Sequence, residues 1–245
     1  MIILCADDYA MTEGVSRAIG ELAAARRLSA TSVLTTSRHW PGLAPRLLVH
    51  RAHLSIGLHL DLTLGPPLGP LPRLAPQGKL PAVSSLATWA LGGVLDVEEI
   101  RAEIGRQLDR FEAGVGFPPD HIDGHQHVHV LPGIRRALLD TVARRYRARA
   151  PLIRDPSDSL SAITSRRTAR PKALAIAALA LGLKGAARKR GLRTNDSFAG
   201  FSSFDEREPY SAELERALSA PGQRHIVMCH PGHPDAELAS LDPVV

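Results

Sequence analysis

The sequence predicts an α/β protein built on parallel strands, and three observations carry that expectation. Apolar strand-like runs alternate with helical stretches along the 245 residues, about seven runs in all, most of them followed by a helix. Polar residues of chemical character recur at the ends of at least six of these runs. In a (β/α) barrel those ends converge on one cavity, so a shared pocket accounts for the recurrence better than chance does. No internal repeat or low-complexity linker divides the chain, which points to one domain over residues 1–245.

The first run, residues 2–6 (IILCA), is apolar throughout and ends on Asp7 and Asp8, so it reads as a buried strand. A helix follows through Val15, Ile19 and Leu22 and fades near Arg27. Residues 30–35 form the second run, with a helical stretch after Pro41, and LSIGLHLDL at 54–62 forms the third. Residues 63–85 are rich in Pro and Gly and predict a long loop. Ile100, Ile104, Leu108 and Phe111 share one face of a helix over 97–111. HIDGHQHVHV at 121–130 is the fourth run, and Pro132 opens a helix reaching about Arg149. The remaining units are PLIRDP (151–156), an Ala-rich helix over about 170–190, TNDSF (194–198), a helix after Tyr210, and HIVMCHPG (225–232).

Composition narrows the class. Hydrophobic residues at 44% and charged residues at 22% are ordinary for a soluble globular chain, and aromatics at 4% leave the core to Ala, Leu, Val and Ile. Cys5 and Cys229 both sit in apolar runs, offer no disulfide framework and fit a reducing compartment. The first apolar stretch has no basic leader, and the longest apolar run, 173–183, is 11 residues and too short for a bilayer. The expectation is a soluble cytoplasmic protein with no transmembrane segment. The net charge of +5 is uneven, with sixteen Lys or Arg and only three acids between Arg135 and Arg193. That concentration suits nucleic acid or an anionic membrane surface. The bases lie among apolar helical positions without a zinc-finger pattern or aromatic stacking motif, so a solvated face and no nucleic-acid partner are expected.

The chemistry concentrates in Asp and His. Of 11 histidines, His59, His125, His127, His129 and His230 lie at strand ends. The period-two spacing of HQHVH, in an extended segment, points three rings and Asp123 to one face, where imidazoles and a carboxylate suit a divalent cation. One cation does not need every ring. His129 reads as structural, as do His39, His50, His53, His121 and His225. A cation held by one Asp and two His keeps positions open for water and substrate, and a nearby carboxylate outside the ligand set can take a proton. Adjacent residues of a strand point in opposite directions, so Asp7 and Asp8 suit two different roles. A helix cap would explain Asp8 at most. His230, followed by the turn-forming Pro231 and Gly232, reads as a general acid or as a structural donor at the pocket wall.

Taken together, these stretches resemble the YdjC-like carbohydrate deacetylase family, which includes chitooligosaccharide deacetylases. ADDYA (6–10) looks like its A-D-D-[FY]-G motif, and GLHLDLT (57–63) is similar to G-L-H-[LF]-x-L-T. HIDGHQHVH (121–129) resembles H-[LIV]-D-x-H-x-H-x-H, and CHPGH its C-terminal H-P-[GA]. The four motifs occur in order across residues 4 to 233. The resemblance implies a distorted TIM-like (β/α) barrel, a divalent metal cation commonly recorded as magnesium, and hydrolytic removal of an acetyl group from an N-acetylated sugar. By position it makes Asp8, His59 and His125 the metal ligands, Asp7 the base and His230 the acid, with His127 and Arg154 lining the substrate pocket. Two imidazoles lean instead toward Zn2+ or another transition metal.

Ala10 departs from the family's Gly, a change expected to affect only the loop. The sequence ends at Asp242-Pro243-Val244-Val245, where family members continue with a further helix. The expected partner is an N-acetylated oligosaccharide or glycolipid head group, chosen by loop 63–85 and the basic segment, with a homodimer left open. A metal-dependent phosphoester hydrolase and a non-catalytic saccharide-binding module are the alternative readings.

Overall fold

The computed structural model describes residues 1–202, 207–219 and 221–241. Seven strands form one sheet in the order β5-β4-β3-β2-β1-β7-β6, with every pairing parallel. They are β1 (Ile2–Tyr9), β2 (Ala30–Val33), β3 (Ser55–Leu60), β4 (His121–Gly124), β5 (Leu152–Ile153), β6 (Ser197–Ala199) and β7 (His225–Cys229). The helices are α1 (Glu13–Ala24), α2 (Trp40–Leu48), α3 (Val83–Leu91), α4 (Val97–Val115), α5 (Ile134–Arg145), α6 (Leu160–Arg166), α7 (Arg170–Leu179), α8 (Leu183–Arg188), α9 (Tyr210–Ala217) and α10 (Ala236–Leu241). The sheet curls until its ends approach. Ile153, in the edge strand β5, forms a parallel bridge with Thr194, three residues before the opposite edge strand β6. The Asn195 side chain ties the two ends further, accepting from Asp155 N at 2.7 Å and donating to Asp155 O at 2.8 Å. The result is the distorted (β/α) barrel the sequence predicts.

Parallel strands need crossovers, and the helices supply them while covering one face. Thr12 caps α1 by accepting from Val15 N, and Asp96 caps α4 by accepting from Glu98 N and Glu99 N. The main core joins Ala6, Leu58, Leu60 and Ile122 of the strands to Ile19, Leu43, Ile104 and Phe111 of the helices. On the opposite face of β1, Cys5 packs with Phe198, Ile226 and Met228 in a second cluster that fills the base of the curl. Above that cluster the same face carries Asp7, because side chains two apart along a strand share a face.

Several elements differ from expectation in extent. Residues 63–82 hold no helix or strand, yet Leu71, Leu74 and Leu80 are buried, and Leu68 N donates to Glu103 of α4 at 3.0 Å. Helices α3, α6 and α10 are additional to the elements expected from the sequence. The expected helix over 170–190 is two helices, α7 and α8, because Gly182 takes a left-handed conformation at φ 82°. Asn195 and Asp196 precede β6 instead of lying inside it. The tail at 242–245 lies outside the described residues. No described helix is long and apolar enough to cross a membrane.

Candidate active site

The site begins where β1 breaks its own geometry. Asp8 has φ 68° and Ala10 φ 72°, and the register between β1 and β2 slips between Ala6 and Tyr9. Left-handed backbone in a non-glycine residue costs of order 1–2 kcal/mol and persists only where surroundings impose it. The slip corrects one expectation: Asp7 and Asp8 do not diverge as neighbours on a regular strand would. Both carboxylates turn into one basin around His59, Asp7 through Ser32 and Asp8 directly.

Asp8 Oδ1 lies 2.9 Å from His125 Nδ1 and 3.2 Å from His59 Nε2. The other nitrogen of His59, Nδ1, donates to Asp123 Oδ1 at 2.6 Å. That pairing follows from sheet register, since His59 of β3 sits directly beside Asp123 of β4. Its consequence is tautomeric, because a proton held on Nδ1 by a carboxylate leaves Nε2 facing Asp8. Burial opposes ionisation of Asp8, but the rings of His125 and His59 outweigh it and hold the carboxyl well below its usual range. Burial also opposes charge on His59, and here Asp123 and Asp7 prevail and push its pKa well above the ordinary value. His125 is raised by Asp8 against the same burial penalty.

Asp7 is held differently. Its carboxylate meets Arg154 in a two-pronged pair, with Oδ2 2.6 Å from Nη1 and Oδ1 2.6 Å from Nη2, and Ser32 Oγ donates to Oδ1 at 3.1 Å. The Arg154 guanidinium is fully buried and also lies 2.5 Å from Asp123 Oδ2 and 3.0 Å from Cys5 Sγ. One cation thus neutralises two buried carboxylates and couples the base of the site to its centre. Sequence reasoning placed Arg154 in the pocket wall. The structure places it beneath, with no surface of its own.

Among the described residues, three groups of side chains converge closely enough to hold a cation: Asp8/His59/His125, Asp7/His59/Asp123 and Cys5/His121/Asp123. Arg154 already supplies positive charge to the second and third, through Asp7, Asp123 and Cys5. Only Asp8/His59/His125 has no Arg or Lys paired with it among the described residues. One carboxylate and two imidazoles within 4.8 Å of one another, one ring fixed by a carboxylate behind it, fit a divalent cation.

The third stretch corrects a second expectation. Residues His125–Val130 form a 3-10 helix in which Gln126 (φ 51°) and His127 (φ 59°) are left-handed, so the three rings do not share a face. His125 alone reaches Asp8. His127 packs against Phe201 and Phe198, with ring centroids 5.4 and 6.0 Å away, and its buried Nδ1 has no hydrogen-bond partner. Burial holds its pKa well below the usual value, with His129 and Arg154 adding to the effect. His129 is structural, as expected, its Nε2 donating to Arg154 O at 2.9 Å. His230 follows β7 directly and is exposed, and desolvation by the site around it lowers its pKa, with Asp8 and Asp7 opposing.

Ser32 and Cys5 belong to this network without any mark in the sequence, whereas Asp123 was expected beside the HQHVH rings and instead backs His59. His121, expected to be an ordinary structural ring, lies 3.6 Å from Cys5 Sγ and 3.8 Å from Asp123 Oδ2. Gly57 makes room for it, since a Cβ there would stand 2.3 Å from the ring. The motif HIDGH did mark Asp123, but only strand register shows that it backs His59. His39, His53 and His225 make ordinary contacts with Glu237, Ala23 O and Ser197, respectively.

Comparison with known proteins places this arrangement. A Homo sapiens protein named carbohydrate deacetylase is 29% identical over 248 residues, spanning 95% of this chain and 75% of that one. A Proteus mirabilis (strain HI4320) protein named chitooligosaccharide deacetylase is 36% identical over 136 residues, about half of each chain (55% and 52%). A solved structure from Enterococcus faecalis V583, described as a candidate cellobiose-phosphate cleavage protein, superposes with a TM-score of 0.71 at 24% identity, covering 98% of this chain and 84% of that one. That last likeness establishes the fold. The family described as YdjC-like protein matches residues 1–244, and the chain belongs to it.

Proposed function

We propose that the protein is a metal-dependent N-deacetylase acting on an N-acetylated saccharide. The observation that carries this reading is the placement of two carboxylates around His59: Asp8 joins His59 and His125, while Asp7 reaches the ring through Ser32 and is clamped by Arg154. Membership of the YdjC-like family, and relatives named as carbohydrate and chitooligosaccharide deacetylases, support the reaction class.

Asp8, His59 and His125 would hold the divalent cation, Mg2+ by family resemblance or Zn2+ by donor chemistry. When bound, that cation supplies Lewis acidity, polarising the acetyl carbonyl and making water a better nucleophile. Asp7 serves as general base, fixed in direction by the Arg154 fork. Arg154 therefore positions the base, a role its complete burial favours over contact with substrate. His230, at the end of β7, donates a proton to the departing amine; a ring with a lowered pKa is a stronger acid once protonated. His127 is neutral and carries an unpartnered buried nitrogen, which suits a hydrogen bond to a sugar hydroxyl.

The test is acetate release from N-acetylated oligosaccharides by the metal-loaded protein, run beside phosphate release from phosphoesters. Acetate release that Asp7→Asn abolishes, with metal retained, is expected. Phosphate release without acetate release would replace this reading with a phosphoester hydrolase.

A further inference from the structure

The deacetylase reading leaves one feature of the chain unexplained. Between residues 159 and 195 there are nine Lys or Arg, no Asp or Glu and no aromatic residue. The helix at the centre of this segment, α7, is apolar apart from Arg170 and Lys172, yet Ala173 is its only buried residue. Its inner side, Ala173, Ile176 and Ala177, packs on the cluster around Phe198 and Met228. Its outer side presents Leu174, Ala175 and Ala178, and Leu181 follows at the same helical spacing, all exposed. Leu174 is 38% and Leu181 75% exposed, and Leu160 of α6 is 69% exposed. A water-facing helix of a stable fold normally carries its polar residues on this side.

Exposed cations flank that apolar strip along the chain. Arg167 and Arg170 stand at its N-terminal end and Arg188 and Lys189 beyond its C-terminal end, all four exposed and without an ion pair among the described residues. An apolar face edged by Lys and Arg is the pattern of a helix lying in a lipid headgroup layer. We infer that α7 and its basic flanks form a docking surface for an anionic membrane, with Leu174 and Leu181 entering the interface and the four cations meeting lipid phosphates.

Charge decides between occupants. A second copy related by a two-fold axis would set this all-basic surface against itself, with no acid in the segment to offset the repulsion. Nucleic acid would satisfy the cations but gain nothing from exposed leucines, and the segment has no ring for a base to stack on. Anionic lipid satisfies both features. The helix also lies behind the candidate active site, since its inner side packs on the Phe198 and Phe201 rings that hold His127.

The experiment is vesicle co-sedimentation of the full chain with phosphatidylcholine alone and with a phosphatidylcholine–phosphatidylglycerol mixture, across a salt series. Binding to the anionic vesicles, weakened by salt and absent from the neutral ones, is expected. The exposed double variant Leu174→Gln/Leu181→Gln should lower partitioning about tenfold or more, because two apolar side chains leave the interface. Arg188→Glu/Lys189→Glu should also lower it. Circular dichroism should show both variants folded, and acetate release from a soluble substrate should be unchanged. Absence of binding to anionic vesicles would overturn the inference, as would binding indifferent to the leucine change. So would sedimentation equilibrium showing a dimer that the leucine variant dissociates, or oligonucleotide binding tighter than vesicle binding. If no soluble substrate is turned over but vesicle binding follows this pattern, the deacetylase reading fails and the docking surface stands.

Discussion

Replacing Arg154 by Met removes one cation from a site where it neutralises two carboxylates, and the cost can be worked from the geometry. The guanidinium is completely buried, grips Asp7 at 2.6 Å through both oxygens and lies 2.5 Å from Asp123. Removing one partner of a buried ion pair typically costs about 3–5 kcal/mol, because the remaining charge is left uncompensated. For a domain of this size that corresponds to a fall in Tm of roughly 6–20 °C, taking about 2–4 °C per kcal/mol. Without the guanidinium fork the Asp7 carboxylate also loses the contact that fixes its direction as base. Arg154→Met is therefore expected to melt earlier and to lose acetate release, while a divalent cation still binds at Asp8, His59 and His125. Differential scanning calorimetry, acetate assay and metal titration read the three outcomes separately. Arg154→Lys should recover little, since one ammonium cannot reproduce the two-pronged contact with Asp7 while also reaching Asp123. A variant that melts within a degree or two of the parent and keeps its turnover would refute the reasoning.

Three further outcomes follow from the same geometry. His59→Ala should lose bound metal outright and Asp123→Asn should weaken it roughly 10–100-fold, since Asp123 fixes the tautomer of His59; elemental analysis after dialysis reads both, and metal retained in His59→Ala would remove His59 from the ligand set. His59 and His125 have raised pKa values in the metal-free protein, so their contribution to folding is complete below the unfolded imidazole value of about 6.5 and is lost as pH rises through the folded values. A divalent cation must displace those protons, so its affinity should rise with pH across the same range, with proton release seen by isothermal titration in buffers of different ionisation enthalpy; heats independent of buffer would contradict this. Ala10 is held at φ 72°, so Ala10→Gly should stabilise by about 1 kcal/mol, seen as a Tm about 2–4 °C higher, and a lower Tm would mean that the buried methyl outweighs the backbone strain.

The sequence announced the fold through alternation, and it announced most of the site through four motifs. Asp8, His59 and His125 meet as the motifs imply because strand ends in a parallel sheet converge, a property of topology that alternation already reveals. Two features lay outside its reach. The left-handed turns at Asp8, Gln126 and His127 carry only a weak sequence signature, since Gly and Asn are the usual markers and Asp and His take this conformation only occasionally. They explain why Asp7 and Asp8 share a basin and why the HQHVH rings part company. The second is pairing across distance: Asp123 backs His59 from 64 positions away and Arg154 reaches Asp7 from 147 away. Only register and burial reveal such pairs. Arg154 in particular was a pocket residue by family resemblance, and only its complete burial and its two-pronged contact set it beneath Asp7.

The central claim is that the two adjacent carboxylates divide their work, Asp8 binding the cation and Asp7 moving the proton. It is tested most directly by measuring metal content and acetate release together in Asp7→Asn and Asp8→Asn. The account predicts that Asp7→Asn keeps its metal and loses turnover, while Asp8→Asn loses metal and turnover alike. Metal lost from Asp7→Asn and retained in Asp8→Asn, or turnover surviving in Asp7→Asn, would contradict it.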